Sequence, residues 1–138
     1  MIFKKFKFLE HTADLKFQAF GKNQKEVFIN SSYALKEIIC KKLKIKNRIT
    51  KNIKIKGNDF ESLFYKFLEE IIYLVDAEDF IIKKVKSIEL KDFEIKAVFE
   101  GDKASNYNFT NNAKASTYND MFFKKIGKKW IGQAVIDV

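Results

Sequence analysis

The sequence lacks proline altogether and holds one cysteine among its 138 residues. The single cysteine, Cys40, excludes an internal disulfide and is typical of proteins in reducing compartments. No apolar run reaches the ~18 residues that a membrane-spanning helix needs. The start, MIFKKFKF, alternates apolar and charged residues instead of forming the continuous apolar block of a signal peptide. We therefore expect a cytoplasmic protein that does not enter a membrane.

Positive charge is in excess, with 27 lysine and arginine residues against 18 acidic residues. Residues 1–56 hold fifteen basic and four acidic residues, whereas residues 57–102 hold six and twelve. A basic segment of this kind could attract nucleic-acid phosphates. Only Arg48 is an arginine, however, and a general bias of the sequence toward lysine, isoleucine and asparagine would produce the same balance.

Two segments carry apolar residues at helical spacing. The first begins at Asn23, three residues before Glu26, which is a capping-box pattern. The second begins at Asn58 or Asp59. The segment GDKASNYNFTNN (101–112) is predicted to be a mobile surface loop.

The remaining segments alternate with a period of two, which indicates six or seven strands. The last two strands are predicted to form a hairpin around Gly127 and Lys128. Together these patterns predict an α+β fold of two layers. A mainly antiparallel sheet carries two amphipathic helices packed on one face, in a single domain over residues 1–138.

The hairpin register brings candidate site residues together. Counting from the turn, Tyr118 is predicted to lie opposite Asp137, and Thr117 opposite Val138. Because side chains alternate across a strand, Lys114 and Asp137 are then expected on the same face.

Oxygen ligands are concentrated in two short segments. The turn EHTAD contains two acids and the only histidine, His11, and it ends at Asp14. The segment AVIDV adds the carboxylate of Asp137 and the terminal carboxylate of Val138. A hard cation takes such oxygens, whereas one cysteine and one histidine cannot form a closed zinc site. An aspartate in a tight turn also commonly caps the backbone, so the residues alone leave both interpretations open.

Four motifs resemble those of the archease family. EHTAD and GKNQKEVFINSSYAL resemble its N-terminal half, and GNDFESLFYKFLEEIIYLVDAE resembles its second helix. AKASTYND resembles its KA-x-TYH strand, and AVIDV resembles its C-terminal end. The likeness extends from about Phe6 to Val138.

The resemblance implies a cytoplasmic protein, not itself an enzyme, that activates a GTP-dependent tRNA-splicing ligase of the RtcB type. Such a protein promotes guanylylation of the ligase histidine and supports turnover, in a role described as chaperone-like. The resemblance also implies a divalent cation, calcium with Mg²⁺ or Mn²⁺ as alternatives, held by Asp14, Asp137 and Val138. Lys114 is implied to contribute to ligase activation.

His11 and Tyr118 are further candidates for a supporting role in the site. The chain departs from the family motif at Asn119, where the motif has histidine, and asparagine can form hydrogen bonds but cannot titrate.

Two other functions remain open. The first is an RNA-binding or chaperone-like module that assists tRNA-modifying enzymes, which predicts salt-dependent tRNA binding. The second is a metal-dependent phosphohydrolase, although the sequence shows no pairing of a nucleophile with a base. With a ligase as the main partner, contact with tRNA is expected to be indirect or weak. The sequence leaves the oligomeric state undetermined.

Overall fold

The structure is a computed structural model that describes residues 4–10, 14–109 and 113–138. In these ranges two α-helices and seven β-strands follow one another in the order β1-β2-α1-β3-α2-β4-β5-β6-β7. The helices are α1, Gln24–Cys40, and α2, Phe60–Glu78. The strands are β1 Phe6–Leu9, β2 Leu15–Gly21, β3 Ile49–Lys56, β4 Phe80–Lys91, β5 Glu94–Lys103, β6 Ala115–Ile126 and β7 Lys129–Asp137.

The described strands pair antiparallel and divide into two sheets. The first sheet has the order β1-β2-β7-β6, and the second has the order β3-β5-β4. A Cβ atom added to Gly132 of β7 would lie 2.8 Å from Val27 of α1 and 3.0 Å from Phe64 of α2. Both helices therefore pack on the same face of the first sheet. The predicted α+β class is confirmed, with two sheets in place of one.

The predicted helix starts are confirmed by their capping bonds. The side chain of Asn23 accepts from the backbone N–H of Glu26 at 3.0 Å, and Glu26 in turn accepts from the backbone of Lys22 at 3.2 Å. At the second helix Asp59 is the cap: it accepts from the backbone of Ser62 at 2.7 Å, and the Ser62 hydroxyl accepts from the backbone of Asp59 at 3.1 Å. Each pair satisfies N–H groups that a helix start leaves without partners.

The core is built around phenylalanine rings that join the helices to the sheets. The centre of the Phe28 ring in α1 lies 5.9 Å from the ring centre of Phe64, 5.3 Å from that of Phe67 and 5.1 Å from that of Phe123 in β6. Phe67 also contacts Phe99 of the second sheet at 5.9 Å. One continuous aromatic cluster therefore holds both sheets to both helices, and such edge-to-face contacts add to the effect of burial.

The predicted hairpin register is correct at the turn and wrong beyond it. Ile126 pairs with Lys129 as expected, but the register shifts between Thr117 and Phe122. Below the shift, Thr117 lies opposite Val135 and not opposite Val138.

Asp137 lies opposite Ala115, so its predicted pairing with Tyr118 is also wrong. The cause is an irregularity in β6, where residues 118–121 leave the ladder. Asp120 adopts φ 56°, a left-handed conformation that aspartate tolerates better than most residues. The carbonyl of Asp120 accepts a hydrogen bond from the side chain of Gln133 at 2.7 Å.

The segment predicted as a mobile loop is partly regular. Its first residues end β5, a 3₁₀ helix follows at Ala104–Asn106, and residues 110–112 lie outside the described ranges. Asp102 is buried and accepts from the Tyr107 hydroxyl at 2.7 Å, with the Arg48 guanidinium 3.6 Å away. The Tyr107 hydrogen bond is the main cause that holds the pKa of Asp102 below its usual value. The prediction of a loop is therefore wrong for residues 101–106.

In the described part of the chain, no helix is long and apolar enough to cross a membrane.

Candidate functional site at one end of the first sheet

Three distant parts of the sequence meet at one end of the first sheet. The first residue of β2 lies opposite Ile136 of β7, so Asp14, immediately before β2, adjoins Asp137. On the other side of β7, Ala115 lies opposite Asp137. The backbone N–H of Lys114 donates to the carbonyl oxygen of Asp137 at 2.8 Å. We call this end, formed by Asp14, Lys114, Asp137 and Val138, the acidic corner.

The side chains of the acidic corner are accessible. Ile136 is buried against the helices, so its neighbour Asp137 points toward the other face, where it is half-buried. Asp14 is also half-buried, and Lys114 is exposed. Because Ala115 shares the face of Asp137, alternation assigns Lys114 to the opposite face. The register on which the predicted common face of Lys114 and Asp137 was based is therefore wrong, although the two residues are neighbours.

The acidic corner contains two carboxylates and the main-chain oxygens of Val138, and hard cations take oxygen ligands of these types. Among the residues that the structure describes, no hydrogen bond or ion pair to the carboxylate of Asp14 or Asp137 is found. The same ranges contain no group of three or more His, Cys, Asp or Glu side chains that could hold a metal. A site here would thus need the main-chain oxygens of Val138, and water, beside two carboxylates. His11 lies outside the described residues.

A clamp between α2 and β6 lies beside the acidic corner, and sequence reasoning missed it. Glu69 of α2 accepts from the backbone N–H of Ser116 at 2.6 Å and from its hydroxyl at 3.1 Å. Ser116 is buried and lies opposite Ile136, so the clamp fixes the start of β6 on the helix face. The sequence carries only a weak signal for this contact, namely that Glu69 lies next to the apolar stripe of α2.

Tyr118 packs on α2 instead of facing Asp137 across the ladder. Its ring stacks on Tyr65 with the centroids 4.2 Å apart and the planes at 3°, and 56% of its surface remains exposed. Burial, followed by the charge of Glu69 and the contact with Tyr118, raises the pKa of Tyr65. Next to this stack, the backbone N–H of Asn119 donates to the Thr117 hydroxyl at 2.9 Å, within the irregular part of β6.

Cys40 is a packing residue at the end of α1. It is buried, and burial raises the pKa of its thiol to about 12, against the opposing effect of Lys36. A neutral, buried thiol is a poor nucleophile.

The chain matches the model of the archease protein family (MTH1598/TM1083) over residues 6–138. Two curated relatives are both called protein archease. The one from Methanosarcina acetivorans is 33% identical, and the alignment covers 98% of this chain and 97% of the relative. The one from Pyrobaculum neutrophilum is 35% identical, with 96% and 95% covered.

Two solved structures share the fold. Protein 1598 of Methanobacterium thermoautotrophicum superposes with a TM-score of 0.78 at 24% identity, and the match covers 97% of this chain and 99% of that one. A Thermotoga maritima protein, described as an archease and possible chaperone, superposes with a TM-score of 0.62 at 18% identity, with 94% of each chain covered. The family model and the curated relatives each match almost the full length of this chain, and the chain belongs to the archease family.

Proposed function

We propose that this protein is a metal-binding accessory protein that activates a GTP-dependent tRNA-splicing RNA ligase of the RtcB type. In this role it promotes guanylylation of the ligase histidine and supports repeated turnover, and it is not itself an enzyme. The observation that carries the proposal is the convergence of Asp14, Lys114 and Asp137 at one end of the first sheet.

The metal part of the proposal rests on the type of atoms at the acidic corner. Asp14 and Asp137 are half-buried carboxylates without a cationic or hydrogen-bonding partner among the described residues, and Val138 adds main-chain oxygens. Oxygen donors of this kind favour calcium, with Mg²⁺ or Mn²⁺ as alternatives. A divalent cation held there would supply positive charge near the phosphates of the ligase nucleotide.

Lys114 has a different role in the proposal. Its backbone is fixed by the hydrogen bond to Asp137, while its side chain is exposed. The ammonium group is therefore free to contact a phosphate or a carboxylate of the ligase. The Glu69–Ser116 clamp holds the strand that begins at Ala115, which keeps the backbone of Lys114 in place.

The test is single-turnover guanylylation of a cognate ligase with and without this protein. Asp14→Asn, Asp137→Asn and Lys114→Gln should each abolish the stimulation, because each removes a charge from the acidic corner with little change in size. Asp92→Asn and Lys86→Gln serve as controls: both residues are exposed and belong to the second sheet or its turn. These two variants should stimulate like the unchanged protein.

Circular dichroism would show whether each variant retains its fold. Full stimulation by all three acidic-corner variants would refute the proposed activation site. Turnover of a phosphoester by the protein alone would contradict the non-enzymatic part of the proposal.

A further inference from the structure

A cleft lies at the end of the first sheet opposite the acidic corner. It has a volume of about 890 Å³ and is bounded by the segment before β1, the end of β2, the start of α1 and the β6–β7 hairpin. Its position is fixed by the backbone, since the N–H of Phe20 donates to the carbonyl of Lys5 at 2.9 Å. We call it the lysine cleft.

The walls of the lysine cleft are strongly basic. Six lysines line it: Lys4, Lys5, Lys7, Lys22, Lys128 and Lys129. The one acidic residue among the lining residues is Glu26, and its side chain accepts a hydrogen bond at the start of α1. In the described ranges, none of Lys4, Lys5, Lys7, Lys128 and Lys129 has a carboxylate within ion-pair distance.

Part of the lining of the lysine cleft is apolar. The ring of Phe20 and the side chain of Ile126 line it, and 46% of the Ile126 surface is exposed. The ammonium group of Lys129 lies 4.8 Å from the centre of the Phe20 ring. Positive charge beside an apolar, partly aromatic lining matches a ligand that carries phosphates and flat bases together.

We propose that the lysine cleft binds the phosphodiester backbone of single-stranded RNA. The volume of about 890 Å³ exceeds what one phosphate fills, and the excess of lysines favours a chain of several negative charges. The concave shape suits a flexible single strand better than a rigid duplex. The site does not depend on the proposed function, because the acidic corner lies at the other end of β2, roughly 20 Å away at about 3.3 Å per residue.

The test is binding of a fluorescently labelled single-stranded RNA oligonucleotide by anisotropy, over a range of salt concentrations and with a metal chelator present. The variant K7Q/K128Q/K129Q should bind at least about tenfold more weakly at low salt. The slope of log affinity against log salt should fall by about two, since each phosphate contact on a single strand contributes about 0.7. The charge-matched control K54Q/K86Q/K91Q replaces three exposed lysines of the second sheet and should bind like the unchanged protein.

Competition identifies the occupant. Unlabelled single-stranded RNA should displace the probe, whereas tripolyphosphate and poly-L-glutamate at equal charge should do so weakly. Equal displacement by tripolyphosphate would overturn the proposal in favour of a small phosphate compound, and equal displacement by poly-L-glutamate in favour of an acidic protein segment. An equal loss of affinity in both triple variants, or no binding by the unchanged protein, would also overturn it.

The Asp137→Asn variant keeps the two proposals separate. It should retain RNA binding in the presence of the chelator even if it loses ligase stimulation, since it leaves the lysine cleft unchanged. Loss of RNA binding in this variant would overturn the independence of the cleft.

Discussion

The two ends of the first sheet differ in charge and in the way they are built. At the acidic corner, backbone pairing on both sides of β7 holds two carboxylates beside Lys114. At the lysine cleft, long side chains surround a space that has one acidic residue among its lining residues. Backbone pairing holds the residues of the acidic corner in place, whereas lysine side chains are long and flexible. The first end thus places a few carboxylate and main-chain oxygens side by side, whereas the second concentrates positive charge around an open space.

The net charge of +9 conceals this division. Each end collects residues from both halves of the chain: Asp14 with Asp137 at one end, and Lys7 with Lys128 at the other. Charge counted along the sequence therefore describes neither site.

The largest effect is expected from a substitution in the aromatic core that packs on the first sheet. Phe64→Ala should lower the free energy of unfolding by about 3–5 kcal/mol, because the ring is fully buried and contacts Phe28 and Phe123. Urea unfolding followed by circular dichroism measures the loss. The matched control is Tyr118→Ala, a largely exposed ring whose loss should cost less than about 1.5 kcal/mol, the upper range for a stacked aromatic pair. Equal losses in the two variants would contradict the described core.

Calcium should distinguish the acidic corner from the lysine cleft. A calcium concentration of about 100 times the dissociation constant should stabilise the unchanged protein by about 2.7 kcal/mol. For a chain of this size the melting temperature should rise by several degrees, which thermal unfolding with calcium and with a chelator measures. Asp137→Asn should abolish the rise, whereas the control Asp92→Asn should keep it. The same rise in Asp137→Asn as in the unchanged protein would place the ion elsewhere.

The clamp at the start of β6 should couple α2 to the acidic corner. Glu69→Gln and Ser116→Ala should each destabilise the fold by about 1–2 kcal/mol, because Ser116 is buried and both its N–H and its hydroxyl donate to Glu69. Glu69→Gln weakens both hydrogen bonds, and Ser116→Ala removes the one from the hydroxyl. The double variant should cost less than the sum, with an interaction energy of about 1 kcal/mol in a double-mutant cycle. Additive losses would mean that the two residues act independently. Hydrogen exchange at the Ser116 amide should accelerate in Glu69→Gln.

The smallest effect is expected at Glu70 of α2, whose ionisation should make the stability of the protein depend on pH. Burial, with a contribution from Glu78, raises the pKa of Glu70. Its contribution to stability is therefore complete below the ordinary glutamate pKa of about 4.3 and is lost as the pH rises through the folded-state pKa.

Glu70→Gln should consequently stabilise the protein at neutral pH by up to about 0.5 kcal/mol, a small value because the side chain is partly exposed. Urea unfolding at neutral pH and near pH 4 measures the difference, which should shrink at the lower pH. A variant less stable than the unchanged protein at neutral pH would contradict the direction of the shift. Glu61→Gln, at an exposed position in the first turn of the same helix, tests whether the effect is specific to Glu70.

The sequence predicted the helices because their signals are local. Asn23 with Glu26, and Asp59 before an apolar stripe, are contained in a few consecutive residues, and the structure confirms both starts. The turn at Gly127 was predictable for the same reason, since glycine readily adopts its φ of 64°.

The register and the lysine cleft were not predictable in this way. Alternation assumes an unbroken ladder, and the irregularity at residues 118–121 shifts every pair between it and the start of β6. The burial of Asp102 depends on Tyr107 and Arg48, which only the folded chain brings together. The sequence does not indicate the cleft, because its lysines come from both ends of the chain and form no motif.

The central position of β7 also determines when the first sheet can be completed. The strand lies between β2 and β6. The side chain of Gln18 in β2 donates a hydrogen bond to the side chain of Gln133 in β7, and the two residues are 115 positions apart in the sequence. Contacts between such distant residues slow folding, because the chain loses much of its entropy before they form. During synthesis, β2 must therefore leave the ribosome long before its central partner exists, with one edge open to pairing with other chains. Until β7 emerges, the edge of β2 that β7 covers in the folded protein has no partner strand, and open strand edges of this kind favour aggregation.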